Sequence, residues 1–204
     1  MRPRLEFWHE YASTYSYLAA ARIGALAEAR GVDIVWRPFL LGPVFFQQQG
    51  LKESPFTAVP VKGRYMRRDM ERQCAAHGLP FRKPDVFLRP TLLTARVGLV
   101  GVHEGWIAKY SPLVYRANFA EGRDISQPET LALLIDAAGG HAEAVLLRAA
   151  SDEIKGELRA VSEEALGKDL FGAPSFVTGD GELFWGHDRM DAALDWAVQH
   201  ANTH

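Results

Sequence analysis

Hydrophobic and polar positions divide the chain into three parts, of which the first alternates between strand and helix patterns. An aromatic-rich run, LEFWHEY at 5–11, is followed by helical spacing over about 14–30 and by a second apolar run that ends at Pro38. Ser13 suits the start of the helix and Gly31 suits its end. A β-α-β unit of this length predicts two parallel strands joined by a right-handed crossover.

The middle of the chain, from about 41 to 168, shows helical spacing in most of its segments. These segments are short and are separated by short loops, which is typical of a helical bundle. Pro112 falls inside one of them and is expected to interrupt that helix.

The last part of the chain returns to strand-like runs. PSFVTG and ELFWG flank an Asp180-Gly181 pair, a strong hairpin signal, and an amphipathic helix with Asp188 in its first turn follows. The order is therefore β-α-β, a helical block, then β-β-α. We expect an α/β fold in which 1–40 and 169–204 form one domain and 41–168 forms an inserted, all-helical domain.

Charge and composition narrow the class of protein. Over 204 residues, 23 lysines and arginines nearly balance 25 aspartates and glutamates, so no broad basic field for nucleic acid is expected. The first residues reach Glu6 and Glu10 without the apolar stretch of a signal peptide, and no apolar run approaches the roughly 20 residues of a membrane helix. Cys74 is the single cysteine, so neither an internal disulfide nor a cysteine-rich metal site can form. We expect a cytoplasmic protein with no membrane, nucleic-acid or metal partner.

Three strand–helix junctions carry the candidate chemistry. In an open α/β fold, ligands gather near helix amino termini at the strand ends, and Ser13 lies at such a place, although a serine there is also an ordinary helix cap. Backbone N–H groups at this terminus would face an anion or a thiolate. Pro174 precedes a strand, either as an ordinary trans proline or as a cis proline that presents the backbone of Ala173 to an extended peptide. His187 and Asp188 precede the closing helix, where Asp188 either caps the helix or binds a ligand ammonium.

These junctions and their surroundings resemble the 2-hydroxychromene-2-carboxylate isomerases, within the DsbA-like and kappa-class glutathione transferase group. The resemblance covers essentially the whole chain, and its first and last two segments are specific in combination. The matching segments are Ser13 with 15–19, then 60–66, 68–72, 78–81, 171–174 and 184–189. The resemblance implies a thioredoxin-like fold with an inserted helical domain, glutathione as cofactor, a small aromatic or apolar substrate and a homodimer.

The resemblance also implies roles for individual residues. Ser13 would be catalytic, because its hydroxyl would hydrogen-bond the glutathione sulfur and favour the thiolate. Ala173 would pair its backbone with the cysteinyl part, His187 and Asp188 would hold the γ-glutamyl end, and Lys62 would approach a carboxylate of glutathione or of an acidic substrate. The expected cofactor-binding residues are Ser13, Lys62, Ala173, Pro174, Gly186, His187 and Asp188. The implied reaction is cis/trans isomerisation and ring opening of an aromatic-degradation intermediate, in which the thiolate adds to the substrate, permits bond rotation and leaves again.

The sequence departs from the family pattern mainly on the substrate side. Thr14 stands where the family usually has proline, and Thr57 and Pro90 stand near positions that are often asparagine. Some isomerases carry a basic residue close to Phe45. The candidate substrate residues are Phe45, Thr57, Phe87 and Arg89. The phenylalanines suit an aromatic-accepting pocket or the core, and Arg89 could meet a substrate carboxylate or only water.

Three alternatives to an isomerase share this fold. A thiol–disulfide oxidoreductase needs a redox thiol, usually Cys-x-x-Cys at the first junction, where this chain has STYS at 13–16. That alternative is disfavoured, and Cys74, in a predicted helix, is expected to be structural. A kappa-class-like transferase of apolar electrophiles would use the same thiolate, and a catalytically lapsed relative would bind glutathione without activating it.

Overall fold

Strands from the two ends of the chain share one sheet. The computed structural model describes residues 2–201, apart from the side chains of Phe45 and Gln48. The strands are β1 (Arg4–His9), β2 (Asp33–Pro38), β3 (Ser175–Thr178) and β4 (Leu183–Trp185). The helices are α1 (Thr14–Ala20), α2 (Ile23–Arg30), α3 (Leu41–Gln49), α4 (Pro55–Ala58), α5 (Pro60–Ala76), α6 (Leu92–Glu104), α7 (Ile107–Phe119), α8 (Pro128–Ala138), α9 (Ala142–Ala149), α10 (Asp152–Gly167) and α11 (Met190–Gln199), with a 3-10 helix (His187–Arg189) directly before α11.

The strand order, β2-β1-β3-β4, confirms the expected thioredoxin-like α/β fold. β1 and β2 are parallel, whereas β3 runs antiparallel to both β1 and β4. Trp8 near the end of β1 pairs with Ser175, and Ser175 pairs with Trp185 at the end of β4. The end of β1, the start of β3 and the end of β4 therefore lie side by side, which brings the three predicted junctions to one edge of the sheet.

Aromatic residues of the strands form the centre of the core. Phe7 is fully buried, with its ring stacked on Phe176 at 5.4 Å and edge-on to Trp36 at 5.1 Å. Burial of each such side chain is worth about 1.5–3 kcal/mol. The core continues into the helical block, because Tyr11 packs against Tyr110 and donates to or accepts from Ser111 Oγ at 2.9 Å.

The first helix differs from the prediction because it is broken. The sequence predicts one helix over about 14–30, but α1 ends at Ala20 and α2 begins at Ile23. At the break, the N–H of Arg22 bonds to the carbonyl of Ala19 at 3.0 Å, the tighter i to i−3 pattern of a 3-10 turn. Gly31 ends α2 in the left-handed conformation, with φ 67°, as its position predicted.

Pro112 does not interrupt its helix, and that prediction is wrong. α7 continues through Pro112 from Ile107 to Phe119. A proline removes the N–H that would bond the carbonyl four residues earlier, which belongs to Ala108. Ala108 is exposed, so water can satisfy this carbonyl and the helix tolerates the loss.

The last part of the chain follows the predicted hairpin and helix with one change. Thr178 N–H donates to the Glu182 carbonyl at 3.1 Å, and Gly181 occupies the left-handed region with φ 89°, as the Asp-Gly signal predicts. Asp188 lies in the 3-10 helix and not in the first turn of α11, which starts at Met190. Across residues 2–201, the helices are too short or too polar to cross a membrane.

Candidate active site

Ser13 connects the first helix to the loop before β3. Its backbone is extended, with φ −76° and ψ 116°, so its hydroxyl lies over the first turn of α1 and accepts from the N–H of Ser16 at 3.2 Å. The same hydroxyl donates to the carbonyl oxygen of Ala173 at 2.9 Å. Ser13 is therefore a helix cap, as one interpretation of the sequence held, and it also touches the second predicted junction.

The loop before β3 is fixed on both sides of Ala173. The peptide bond between Ala173 and Pro174 is cis, which decides between the two alternatives left open by the sequence. The carbonyl of Pro174 accepts from the N–H of Gly186 at 3.0 Å, which ties the loop to the end of β4. A Cβ at Gly172 would lie 2.4 Å from Trp185 Nε1, so a larger residue would have to displace that ring.

His187 is held by a ring stack that the sequence did not reveal. The rings of Tyr15 and His187 are parallel within 3° with centroids 5.4 Å apart. The Tyr15 hydroxyl donates to Asp69 Oδ2 at 2.9 Å, and Arg72 donates to Asp69 Oδ1 at 3.1 Å. Burial lowers the pKa of His187 and Asp188 opposes that shift, so the imidazole is neutral at neutral pH. The stack joins α1, α5 and the last junction.

Asp188 presents an accessible carboxylate beside this stack. Gly186 has φ 103°, and a Cβ there would lie 2.5 Å from Asp188 Oδ1, so the carboxylate rests directly over the glycine. About 60% of the Asp188 side chain is exposed, and Arg189 lies 3.4 Å from its other oxygen. An exposed carboxylate of this kind can accept hydrogen bonds from an ammonium ligand.

The other residues named from the resemblance are spread around this junction. Lys62 is exposed in the first turn of α5, and Thr57 is exposed in α4. α4 reaches the site through Phe56, whose ring lies 6.2 Å from that of Tyr15. Phe45 belongs to α3, but its side chain lies outside the described part of the chain. Within residues 2–201, no hydrogen bond joins the side chain of Lys62 or Thr57 to Ser13, so their roles stay predictions.

Arg89 has protein partners that compete with a substrate. Its side chain is buried, and its guanidinium donates to the carbonyl oxygens of Gly122, at 3.1 Å, and of Arg123. A contact with a substrate carboxylate would require these bonds to break. The geometry therefore gives Arg89 a role in fixing the neighbouring loop.

A narrow apolar cleft of about 20 Å³, room for roughly one water molecule, lies against Thr14, the residue after Ser13. Thr14, which replaces the family's usual proline, is buried and donates its hydroxyl to Met66 Sδ at 3.4 Å. The half-buried ring of Phe87 is one wall of this cleft, as its prediction as a substrate residue requires. The residues that line the cleft are Thr14, Met66, Arg67, Phe81, Lys83, Pro84 and Phe87.

Glu10 is a buried acid behind Ser13 that the sequence analysis did not single out. Burial raises its pKa to about 7, although hydrogen bonds from the Thr91 hydroxyl and from Ala12 N–H, the latter at 2.8 Å, oppose the shift. Its carbonyl accepts from the N–H of Ser13 at 3.0 Å. An acidic residue at the end of an aromatic strand was the available signal, since such a position is normally apolar.

His9 precedes Glu10 and is neutral in the fold. Burial lowers its pKa to about 3. The Tyr115 hydroxyl donates to the Glu10 carbonyl at 2.9 Å, and a carbonyl can only accept. The Tyr115 oxygen must therefore accept from His9, 3.1 Å away, which places the imidazole proton on Nδ1. This network holds the end of β1 rigidly against α7.

Cys74 is not suited to act as a nucleophile. Its thiol is buried in α5, and burial raises its pKa to about 11, so the reactive thiolate is scarce at neutral pH. This agrees with the expected structural role. Within the described range, 2–201, side chains of His, Cys, Asp and Glu form no group of three or more that could hold a metal ion.

Polar groups from all three junctions are available to a ligand at this end of the sheet. Ser13 offers a hydroxyl, the Ala173 backbone lies 2.9 Å away from it, and Asp188 offers a negative charge. These are the donor and acceptor types that a sulfur, a peptide group and an ammonium need. Nδ1 of His187 is buried and has no hydrogen-bond partner within 2–201, which leaves one more polar atom at the junction for a ligand or a water.

Comparison with known proteins identifies relatives over nearly the whole chain. The family model of the DSBA-like thioredoxin domain matches residues 4–196. The 2-hydroxychromene-2-carboxylate isomerase of Sphingobium xenophagum is 26% identical over 191 residues, which cover 94% of this chain and 96% of the relative. Human glutathione S-transferase kappa 1 is 26% identical over 200 residues, covering 92% of this chain and 87% of the relative. A solved structure of a 2-hydroxychromene-2-carboxylate isomerase superposes with a TM-score of 0.85 at 23% identity, over 98% of this chain and 99% of that one.

Proposed function

Because the chain belongs to the DSBA-like thioredoxin domain family, we propose that it is a glutathione-dependent isomerase of the 2-hydroxychromene-2-carboxylate type. One observation carries the proposal: the Ser13 hydroxyl lies 2.9 Å from the Ala173 carbonyl. A thiol bound along the Ala173 backbone would therefore meet a hydroxyl donor from the head of α1. Enzymes named as isomerases and kappa transferases among the relatives support this class of activity.

The residues present fit glutathione. This tripeptide carries one ammonium, two carboxylates and two peptide groups, and the junction offers complementary groups to each type. Asp188 would hold the γ-glutamyl ammonium with Gly186 and His187 beside it, and the backbone of Ala173 would pair with the cysteinyl part. Lys62 would take one of the two carboxylates. The stack of Tyr15 on His187 would keep the γ-glutamyl side of the site rigid.

Ser13 would act by redirecting one hydrogen bond. Its hydroxyl now donates to the Ala173 carbonyl and accepts from Ser16 N–H. Rotation of the hydroxyl proton toward a bound sulfur would leave the bond from Ser16 intact and would stabilise negative charge on that sulfur. When bound, glutathione supplies the thiolate that adds to the conjugated substrate and later leaves. The chain's own residues would thus orient the cofactor and favour its ionised form.

Titration with glutathione tests this proposal. Calorimetry would measure affinity, and ultraviolet difference absorbance would measure the thiolate band of bound glutathione at neutral pH. The wild-type protein should bind glutathione and show the band, whereas Ser13→Ala should keep measurable binding and lose most of the band. Turnover of 2-hydroxychromene-2-carboxylate should fall by far more than tenfold in that variant. A wild-type protein with no affinity for glutathione would refute the proposal.

A glutathione transferase of apolar electrophiles is the second candidate. The apolar walls of the cleft beside Thr14 favour it, since they suit an uncharged acceptor as well as an aromatic acid. The two activities differ in whether an adduct is released, so mass spectrometry of products distinguishes them. Binding without a thiolate band would instead indicate a catalytically lapsed relative.

The proposal includes a homodimer that works in the cytoplasm on an aromatic-degradation intermediate. Light scattering of the purified protein tests the oligomeric state, and a monomer at micromolar concentration would refute the proposed homodimer. Cell fractionation tests the compartment.

A further inference from the structure

The Glu10 carboxyl is a buried acid that the proposed thiol chemistry does not yet use. Glu10 is 6% exposed and begins a turn that ends at Ser13, because the Ser13 N–H donates to the Glu10 carbonyl at 3.0 Å. Its side chain accepts from the Ala12 N–H at 2.8 Å and from the Thr91 hydroxyl. These bonds fix the carboxyl between the turn that carries Ser13 and the start of α6.

Covalent geometry keeps this carboxyl close to a sulfur bound at Ser13. One carboxylate oxygen lies 2.8 Å from the nitrogen of Ala12, and Ala12 is bonded directly to Ser13, so the oxygen lies within about 10 Å of the Ser13 hydroxyl. The Ser13 N–H also lowers the pKa of the carboxyl, which agrees with this proximity. At about this distance and an effective dielectric constant of about 20, two negative charges raise each other's pKa by about one unit.

Within the described part of the chain, no cation pairs with Glu10 to cancel that repulsion. The titratable groups that face it are neutral, because burial lowers the pKa of His9 to about 3 and holds the pKa values of Tyr11 and Tyr115 above their ordinary value. Arg89, in the connection before α6, donates its guanidinium to backbone carbonyls and not to this carboxyl. An ionised Glu10 would therefore act on a bound thiolate without a compensating charge beside it.

We propose that Glu10 is a positioning residue that holds one negative charge in common with the bound thiolate, so that its carboxylate takes up a proton when the thiol ionises. The inference rests on the proposed function and concerns the same site. The S–H bond breaks and leaves its electron pair on sulfur, while an O–H bond forms on Glu10, so this end of the sheet carries one negative charge before and after. Water can carry the proton between them, because the coupling is a property of the equilibrium.

The burial of Glu10 places this exchange in the neutral pH range. Burial raises the pKa of Glu10 to about 7, so both forms of the carboxyl are present at neutral pH. Below that pH the carboxyl is neutral and no longer opposes the thiolate, whereas above it the ionised carboxyl does. The thiolate therefore persists to lower pH than it would beside a carboxylate that stays charged.

Titration of each group with the other one silenced tests this inference. Glu10→Gln removes the acid, and its amide can still accept from the Ala12 N–H and donate to the Thr91 hydroxyl. S-methylglutathione is the matched peptide without an ionisable thiol. Carbon-13 NMR would give the pKa of the Glu10 carboxyl in wild-type protein bound to S-methylglutathione, and ultraviolet absorbance would give the pKa of the thiol in Glu10→Gln bound to glutathione.

The wild-type complex with glutathione then contains both groups together. The sum of its two apparent pKa values should exceed the sum of the two separate values by about one unit, because each charge opposes the other. Equal sums would overturn the inference. Glu10→Gln should also bind S-methylglutathione within twofold of wild type, and a loss of affinity for both peptides together with equal sums would leave Glu10 a purely structural role.

Glu6→Gln is the matched control for charge. Glu6 lies on the same strand, about 13 Å before Glu10, and is partly exposed and paired with Lys168 at 3.4 Å. The excess of about one unit should remain in this variant. Its disappearance would assign the effect to the overall charge of β1 and overturn the role of Glu10.

Thr91→Val tests the coupling without Glu10→Gln, should that variant fail to fold. The Thr91 hydroxyl lowers the pKa of Glu10, so its removal should raise that pKa and make Glu10 lose its proton after the thiol has lost its own. Exchange of S-methylglutathione for glutathione should then raise the pKa of Glu10 by about one unit, and an unchanged pKa would overturn the inference.

Failure of the proposed function would give a different result. A wild-type protein that binds neither peptide would refute the use of glutathione and this inference with it. Binding of both peptides with a thiolate band, but with equal sums of pKa values, would overturn the coupling to Glu10 alone.

Discussion

Replacement of Ser13 by alanine should destabilise the fold as well as alter the chemistry. The hydroxyl accepts from Ser16 N–H at 3.2 Å and donates to the Ala173 carbonyl at 2.9 Å. Loss of a serine cap costs about 1 kcal/mol, and loss of one intramolecular hydrogen bond costs about 0.5–1.5 kcal/mol. Because Ser13 is half-buried and water can reach part of the site, we expect a total near 1–2 kcal/mol. For a chain of this size, that corresponds to a fall in melting temperature of about 2–8 °C.

Ser151→Ala provides the control for the cap contribution. Ser151 caps α10 by accepting from Ile154 N–H at 3.3 Å, and it lies outside the candidate site. Urea unfolding of both variants at pH 7 would measure the two losses under the same conditions. The excess loss in Ser13→Ala reports the bond to Ala173 and should be about 0.5–1 kcal/mol.

The result also separates structure from catalysis at Ser13. A loss for Ser13→Ala equal to or smaller than that for Ser151→Ala would mean that the hydroxyl does not hold the loop before β3. The proposed switch of the Ser13 hydroxyl from the Ala173 carbonyl to a bound sulfur would then lack its first hydrogen bond. Ser13→Thr keeps the hydroxyl and should recover most of the excess stability, which a purely steric explanation does not predict.

Three further predictions concern the core, the helices and the ring stack. Burial lowers the pKa of His9 to about 3, so the stability that the neutral imidazole contributes is complete above about pH 6.5 and is lost as the pH falls toward 3. Between pH 7 and pH 5, the free energy of unfolding measured in urea should therefore fall by about 2 kcal/mol less for His9→Asn than for wild type. Parallel pH dependences of the two proteins would contradict this. Gly98→Ala places a Cβ 2.6 Å from the Tyr11 hydroxyl and should destabilise the fold by about 1–3 kcal/mol. Gly156→Ala has open space around its Cβ in α10 and should stabilise the fold by about 0.5–1 kcal/mol. Thermal unfolding measures both, and similar shifts in melting temperature would contradict the packing around Gly98. Tyr15→Leu removes the ring stacked on His187 and should weaken glutathione binding about tenfold, as measured by calorimetry. Tyr15→Phe keeps the ring and should change the affinity less than about threefold. Equal effects of the two variants would show that the Tyr15 hydroxyl, and not the ring stack, supports glutathione binding.

Local patterns predicted the parts of this fold that depend on local physics. The strands follow from short apolar runs, the hairpin at Asp180-Gly181 follows from turn chemistry, and the end of α2 at Gly31 follows from a left-handed cap. The break between α1 and α2 was not predictable, because both sides of it have helical spacing. Pro112 was misjudged since its tolerance depends on the exposure of Ala108, which is a tertiary property.

In the candidate site, too, features set by neighbouring residues were predictable, whereas contacts between residues far apart in sequence were not. Ser13 could be identified as the head of a helix, but its bond to Ala173 joins residues 160 positions apart. The stack of Tyr15 on His187 and the use of Arg89 by backbone carbonyls likewise depend on contacts across the fold. Residue type alone therefore did not reveal the backbone partners of Arg89, and it did not single out Glu10, whose pKa is raised by burial.

The chemistry proposed for the first junction requires a sulfur that this chain does not supply there. A hydroxyl at Ser13 can donate to a thiolate, but it cannot form or exchange a disulfide. Cys74, the single cysteine of the sequence, is buried in α5 with its pKa raised to about 11, so it cannot replace a reactive thiolate at neutral pH. Thiol chemistry on this scaffold must therefore use an external thiol, and the hydroxyl, the Ala173 backbone and the Asp188 carboxylate lie where a tripeptide could supply one. This is the physical argument for the proposed use of glutathione and against the alternative of disulfide exchange.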